Sequence, residues 1–302
     1  MGPTASGKTD LAVNLVERFP ADIVSVDSAL VYRGMDIGTA KPGSDVLARA
    51  PHRLIDIREP EDAYSAGAFV RDARVEIDAI HAAGRIPLLV GGTMLYFRAL
   101  IDGIAELPDA DQGIRAAIDA EAIAHGWPAM HERLASIDAA AAARIEPGDK
   151  QRIQRALEVY EASGRTLSDW QRSASPPDSG LRFVKFALID PERRVLHQRI
   201  NERFLQMLDA GFIDEVRGLM QRPGLTAESA SMRAVGYRQI WRFLSEKIDL
   251  ETAISQGQAA TRQLAKRQLT WLRSEPELRC FDPLDNASAD AISTELARKL
   301  NE

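Results

Sequence analysis

The sequence predicts an α/β protein: a parallel sheet core with helices on both faces, interrupted by an all-helical insertion domain. Three observations carry that expectation. Residues 2–9, Gly2-Pro3-Thr4-Ala5-Ser6-Gly7-Lys8-Thr9, fit the spacing G-x-x-x-x-G-K-[ST], a glycine-rich loop that opens a helix. Farther along, apolar strand, helix and strand follow one another in the rhythm of right-handed parallel crossovers. From about residue 107 to 180 the texture changes to Ala-rich helical patterns.

The elements follow in order. A helix is expected from about Asp10, with Leu11, Leu15, Val16 and Phe19 at helical spacing. Residues 22–27, Asp22-Ile23-Val24-Ser25-Val26-Asp27, read as a buried strand ending in a carboxylate. A helix over 65–83 places Phe69, Ala73, Ile77 and Ile80 on one face. The run 86–90 is a second buried strand, ending in Gly91-Gly92-Thr93. Within the insertion, helices are expected over 115–126, 128–145 and 149–163, closed by a Ser- and Pro-rich loop over 173–180. A strand over 183–189 returns to the core, and Pro191 starts a long helix running through Met220. Residues 250–273 are helical again. The division expected is a catalytic core, 1–106 with 181–302, whose C-terminal helices face the substrate, and the insertion, 107–180. A phosphate loop ordinarily hangs from a buried strand, and here only Met1 precedes it. The expectation is an upstream start, with Met1 as the last residue of that strand.

Composition narrows the class. The 302 residues are 45% hydrophobic and 27% charged, ordinary for a globular protein with a sizeable core. The single cysteine, Cys280, excludes a disulfide framework and a Cys-based zinc site, and the histidines (52, 81, 125, 131, 197) have no metal-ligand spacing. No run is apolar enough to span a bilayer and no signal-peptide pattern begins the chain, so a cytoplasmic protein with no membrane partner is expected. The net charge of −6 divides unevenly: −8 over 1–181, +6 over 182–273 and −4 over 274–302. A local basic surface in an acidic protein, or simply solvated helix faces, would give that pattern.

Chemistry concentrates at the loop, which makes the core P-loop NTPase-like. Its glycines let the backbone wind around an anion, and the helix N-terminus adds a positive dipole end. Lys8 supplies a full charge, and the Thr9 hydroxyl is placed to ligate Mg²⁺. A phosphate or diphosphate binds there; kinase, NTPase and GTPase chemistry all remain open on this loop alone. NTP hydrolases usually carry an acidic residue at a strand end to organise metal and water. Here the 86–90 strand ends in Gly-Gly-Thr, and the strand-tip carboxylate is Asp27, able to hold Mg²⁺ or to accept a proton.

The segment Asp27–Pro42 following Gly2–Thr9 closely resembles the tRNA dimethylallyltransferase (isopentenyltransferase) family. The resemblance continues in Gly91–Tyr96, Gln151–Arg155, Arg203–Leu208, Met232–Arg238 and Lys266–Arg273, in the family's order across residues 2–273. It departs from the eukaryotic members in having no zinc finger, which points to the bacterial type.

What the resemblance implies is transfer of a dimethylallyl group from dimethylallyl diphosphate to N6 of adenosine 37, beside the tRNA anticodon. Gly2, Pro3, Thr4, Ala5, Ser6, Gly7, Lys8 and Thr9 would stabilise the departing diphosphate with Mg²⁺. Thr4 would hydrogen-bond the leaving oxygen, and Arg203 would be a second diphosphate cation or else pair with Glu202 or Asp214. Asp27 is the expected base, with capping or metal ligation as its other role, and Thr93 borders the same channel. The target adenine must be flipped out of the anticodon loop. Contacts to the neighbouring RNA are expected from Asp27, Ser28, Ala29 and Leu30; from Thr93 and Arg115; and from Gln151, Arg152, Ile153, Gln154 and Arg155. Further contacts are expected from Arg233, Gly236, Tyr237 and Arg238, and from Lys266, Arg267, Gln268, Leu269, Thr270, Trp271, Leu272 and Arg273. Tyr237 and Trp271 read equally as core residues, and each arginine alone as a salt-bridge partner. The Gln151–Arg155 block makes the insertion a clamp on RNA, and a monomer is expected. The rivals are an adenylate isopentenyltransferase acting on free nucleotide, a P-loop nucleotide kinase or NTPase, and a non-catalytic RNA-binding module. ATP-binding is the label the loop motif alone attracts; the resemblance puts the prenyl donor's diphosphate there.

Overall fold

In the computed structural model, residues 1–173, 180–285 and 287–300 are described, and the chain divides into two compact units, Met1–Phe97 with Leu181–Glu302, and Arg98–Gly180. In the first unit the phosphate loop leads into α1 (Lys8–Arg18), followed by β1 (Ala21–Val26), α2 (Ser44–Arg49), β2 (His52–Arg53), α3 (Ala66–Ala82) and β3 (Ile86–Gly91). α4 (Met94–Ile101) runs across the division.

β1 is the middle strand of three, with β2 and β3 parallel to it on either side; Ile23 stands opposite Leu88 and Val26 opposite Gly91. Ile23, Leu88 and Val90 pack with Ala12 and Val13 of α1, and strand alternation sends Val24 and Val26 to the opposite face, while α3 also packs on β1 and β3. The expected parallel α/β core is therefore present. One detail differs: β3 was expected to be fully buried, yet its Ile86–Val90 are half-buried. Among the described residues β3 pairs with β1 alone, so it is an edge strand. The backbone of Met1 joins a different strand: its amine donates to Phe186 O (2.7 Å) and its carbonyl accepts from Leu188 N (3.0 Å).

The second unit holds α5 (Gln112–His125), α6 (Trp127–Ile137), α7 (Ala139–Ala142), α8 (Lys150–Ser163) and α9 (Leu167–Ser173). Its core is Ile118, Met130, Leu134, Ile153 and Leu157 with Ala141, Ala142 and Ala156 between them. The single helix expected over 128–145 is two, because Asp138 leaves helical geometry (φ −140°) and caps α7, accepting from Ala141 N at 2.9 Å. Its second oxygen accepts from Ser168 N at 2.9 Å, tying α9 to the break. Residues 174–179 of the loop expected at 173–180 lie outside the described residues.

The chain re-enters the first unit at β4 (Phe186–Leu188), shorter than expected, and continues with α10 (Arg193–Asp209), α11 (Phe212–Met220), a 3₁₀ turn at Ser231–Arg233, α12 (Tyr237–Leu244), α13 (Leu250–Arg273), β5 (Arg279–Phe281) and α14 (Ser288–Leu300). β5 pairs in parallel with β4. The long helix expected from Pro191 to Met220 starts at Arg193 and breaks at Gly211, whose φ of 100° belongs to glycine and ends a right-handed helix. Phe204, Phe212, Val216, Met232, Tyr237 and Ile240 form a core with Val31, Tyr32 and Met35, so the segment after β1 is anchored on the helical layer. α12 and α14 had no expectation behind them.

Candidate active site

The carboxyl ends of β1 and β3 and the phosphate loop meet at one place. Ala5 (φ 62°) and Gly7 (φ 78°) bend the loop, and Gly7 is the left-handed residue from which α1 starts. Six loop and helix residues, Ala5 to Asp10, line one wall of a 340 Å³ cavity. The opposite wall is a single face of α10: Arg199, Glu202, Arg203 and Gln206.

The cavity is electropositive. Lys8 donates to Pro3 O at 3.2 Å, and burial pushes its ammonium down to about 8, partly offset by Asp27 and reinforced by Arg203. The Arg203 guanidinium, itself pushed down by burial, donates to the Thr4 hydroxyl. It does not pair with Asp214, which binds Arg217. Arg199 lies one turn before Arg203, 3.7 Å from where a Cβ on Gly7 would stand, and its buried Nη1 has no hydrogen-bond partner. The sequence reading missed Arg199. The available signal was its i, i+4 spacing to Arg203, which puts both on one helix face.

Asp27 stands at the end of β1, half-buried. Its Oδ1 accepts from Ala29 N (2.9 Å) and Leu30 N (3.3 Å), an Asx-type turn that orients the carboxylate. Thr93 joins the same corner: its N–H donates to Val26 O (3.2 Å), and its Oγ1 accepts from Ser28 N (3.1 Å). Gln268, from α13, closes the arrangement. Its Oε1 accepts from Thr4 N at 2.9 Å and its Nε2 donates to Gly92 O at 2.9 Å. A Cβ at Gly92 would lie 2.4 Å from Gln268 Nε2, so any larger residue there would displace the amide.

Metal-holding capacity follows from the donor set. The Thr9 hydroxyl and the carboxylates of Asp10 and Glu202 are on the cavity wall. Among the described residues no three His, Cys, Asp or Glu side chains gather as a ligand cluster. Few protein oxygens beside a polyanion pocket fit Mg²⁺, which is held largely by phosphate oxygens and water.

The remaining residues divide by exposure. On α13, Lys266, Arg267, Thr270 and Arg273 are exposed along one face, whereas Gln268, Leu269 and Leu272 are buried and Trp271 is half-buried. Arg233 and Arg238 are exposed, while Gly236 and Tyr237 are buried. The Tyr237 hydroxyl donates to Glu215 Oε1 (2.5 Å), and the same carboxylate accepts from the backbone N–H groups of Asp36, Ile37 and Gly38. In the insertion, Gln151 and Arg152 are exposed, Ile153 is buried, and Gln154 donates to Asp119 (2.7 Å). Arg115 and Arg155 converge on Glu158, whose side chain is fully buried: Arg115 Nε donates to Oε1 and Arg155 Nη1 to Oε2, both at 2.8 Å. The side chains of Ile153, Tyr237, Leu269 and Leu272 thus face the interior, because helical periodicity that exposes their neighbours must bury them. No described helix is long and apolar enough to cross a membrane.

Fold and site together define a P-loop α/β protein whose glycine-rich loop and basic helix face line one cavity close to a strand-tip carboxylate. A model of the IPP transferase family matches residues 30–275. A tRNA dimethylallyltransferase of Thiobacillus denitrificans is 55% identical over 300 residues, covering 98% of this chain and 96% of that protein. One of Thioalkalivibrio sulfidiphilus is 57% identical over 293 residues, covering 96% and 92%. The crystal structure of the full-length tRNA isopentenylpyrophosphate transferase from Bacillus halodurans is similar at a TM-score of 0.72 and 38% identity, over 99% of this chain and 95% of that one. A eukaryotic dimethylallyltransferase acting on tRNA shares the fold at a TM-score of 0.80 and 24% identity, over 98% and 76%. The chain belongs to the tRNA dimethylallyltransferase family, whose members are prenyltransferases.

Proposed function

We propose that this chain transfers the dimethylallyl group of dimethylallyl diphosphate to N6 of adenosine 37, next to the anticodon of tRNA. The observation that carries the reading is the clustering of Lys8, Arg199 and Arg203 on one cavity, with Arg203 bonded to the Thr4 hydroxyl and the Asp27 charge acting on both Lys8 and Arg203. The diphosphate lies on the loop under Lys8, with Arg203 toward the bridging oxygen and Arg199 over the Gly7 side. Arg203 donates to Thr4 Oγ1, which leaves the Thr4 hydroxyl hydrogen free to make a hydrogen bond to the leaving oxygen. The donor's allylic C–O bond breaks to release diphosphate, a bond forms from C1 to N6, and N6 gives its proton to Asp27. Asp27 Oδ1 is engaged by two backbone N–H groups, so Oδ2 takes that proton. Mg²⁺, held by Thr9 and the diphosphate, would neutralise part of the leaving group's charge.

The RNA is held by exposed cations: Lys266, Arg267 and Arg273 on α13, Arg233 and Arg238 before and within α12, and Arg152 in the insertion. Exposure and charge support that assignment, since phosphate contacts need solvent-facing Lys and Arg. The protein works in the cytoplasm as a monomer and needs no ATP.

The test is transfer of labelled dimethylallyl from its diphosphate, with Mg²⁺ and no ATP, to unmodified bulk tRNA, with AMP as a parallel acceptor. N6-dimethylallyladenosine in digested tRNA, strongly reduced in Asp27→Ala, is the expected result. Label confined to AMP would make it a free-nucleotide enzyme.

A further inference from the structure

We propose that Gln268 is not an RNA contact but a positioning residue, a buried clamp that sets the distance between the leaving-group side and the acceptor side of the site. The inference rests on the transferase reading above and concerns how that site is assembled.

Gln268 belongs to a helical block whose exposed members face solvent, yet Gln268 itself is only 9% exposed. Both ends of its amide are used, and by two different loops. Thr4 N–H donates to Oε1, and Nε2 donates to Gly92 O, both at 2.9 Å. These partners are remote from Gln268 in sequence, at separations of 264 and 176 residues, so the amide bridges the phosphate loop and the β3–α4 turn through tertiary packing. Thr4 is gripped twice, its N–H by Gln268 and its hydroxyl by Arg203. On the other arm, Gly92 immediately precedes Thr93, whose Oγ1 fixes Ser28 N beside Asp27. One amide therefore spans from the group that meets the leaving oxygen to the groups that meet the incoming amine. In a displacement, a misplacement of about 1 Å between those two sides costs on the order of a hundredfold in rate. The fit is close: at Gly92 even one added carbon would collide with the amide nitrogen.

Gln268→Leu keeps the approximate volume and loses both bonds. Gln268→Glu is the informative partner. As a carboxylate it can accept from Thr4 N–H but cannot donate to Gly92 O; protonated, it can do both. Steady-state rates would be taken with each substrate varied, alongside thermal unfolding and calorimetric titration with inorganic diphosphate. The expected result for Gln268→Leu is kcat lower by about a hundredfold, the KM for tRNA within about twofold of the parent, and diphosphate binding weakened several-fold. For Gln268→Glu, activity relative to the parent enzyme rises as pH is lowered, because protonation restores the second bond. A raised KM for tRNA with kcat unchanged would overturn the proposal in favour of an RNA contact. A rate loss matched by loss of folded protein, with no pH-dependent recovery in the Glu variant, would reduce the residue to a structural one. If the parent protein transfers no prenyl group, the transferase reading fails separately. The diphosphate titration still decides the clamp, equal affinity in parent and Leu variant overturning it.

Discussion

Arg199 and Arg203 face the phosphate-loop cavity, whereas Arg115 and Arg155, in the helical insertion, face a buried carboxylate. Arg203 donates to a threonine hydroxyl, and Arg199 has a buried nitrogen with no partner. Neither forms an ion pair among the described residues. Arg115 and Arg155 instead saturate Glu158, which also accepts from Asp111 N at 2.9 Å, while Arg155 Nη2 donates to Pro108 O at 2.7 Å. Burial drives the Glu158 carboxyl up, but these hydrogen bonds outweigh it and hold the group below the usual glutamate range. The same side chain thus lines an open cavity in one unit and staples a buried carboxylate in the other. What separates them is the partner: a buried carboxylate neutralises Arg115 and Arg155. Arg199 and Arg203 are half-buried with no ion pair among the described residues, and Asp27 is the nearby opposite charge felt by Arg203.

The comparison can be sharpened first at Asp27, the carboxylate whose charge both Lys8 and Arg203 feel. Asp27→Asn should lower kcat by about 10³-fold with diphosphate binding retained, as read by single-turnover transfer and calorimetry. Arg203→Ala should lower kcat/KM for the donor by about 10²-fold, and Arg199→Ala by about tenfold, with the KM for tRNA unchanged.

The opposite pattern is expected at the staple. Glu158→Ala strands two guanidinium groups and should cost the protein about 3 kcal/mol in urea unfolding, with little change in donor kinetics. Because the Glu158 pKa is depressed in the folded state, its contribution holds above the unfolded carboxylate value and is lost as pH falls through the folded one. If Arg115→Ala raised the KM for tRNA tenfold without any loss of stability, the contrast between the two pairs would be broken.

Smaller effects test charge state and reach. Burial pushes Lys8 down to about 8, so the free protein sheds this charge as pH rises through that value. Diphosphate affinity should therefore weaken above about pH 8, by up to tenfold per pH unit, with the slope absent in Lys8→Met. The linkage to folding has the other sign: the unfolded lysine holds its proton to higher pH, so free-protein stability rises between the two values. Lys266→Ala and Arg267→Ala, both exposed, should each reduce the slope of log affinity for tRNA against log salt by about 1.

Much of this was legible in the chain. The phosphate loop could be read because eight consecutive residues meet a local backbone requirement, and β1, α3 and α13 because their apolar periods are long and unbroken. Asp27 was found for the same reason, as the polar end of an apolar strand. Interruptions were not legible. Asp138 and Gly211 end helices by backbone geometry that the surrounding apolar pattern conceals. Nor was the division of labour inside a motif: Lys266 to Arg273 reads as one basic block, and only packing turns Gln268 inward and Lys266 and Arg267 outward.

By itself, then, the sequence determined which chemical groups the protein carries and the local shapes that present them: an anion loop, a strand-tip carboxylate, helices with one charged face. The tertiary structure alone decided which of those groups are partnered. Arg203 reaches Thr4, Arg155 reaches Glu158 and Gln268 reaches Gly92 according to how distant segments pack, and whether a charge is matched or left open is a property of that packing. Local propensity is encoded in neighbouring residues, whereas electrostatic pairing in a low-dielectric interior depends on distance in space.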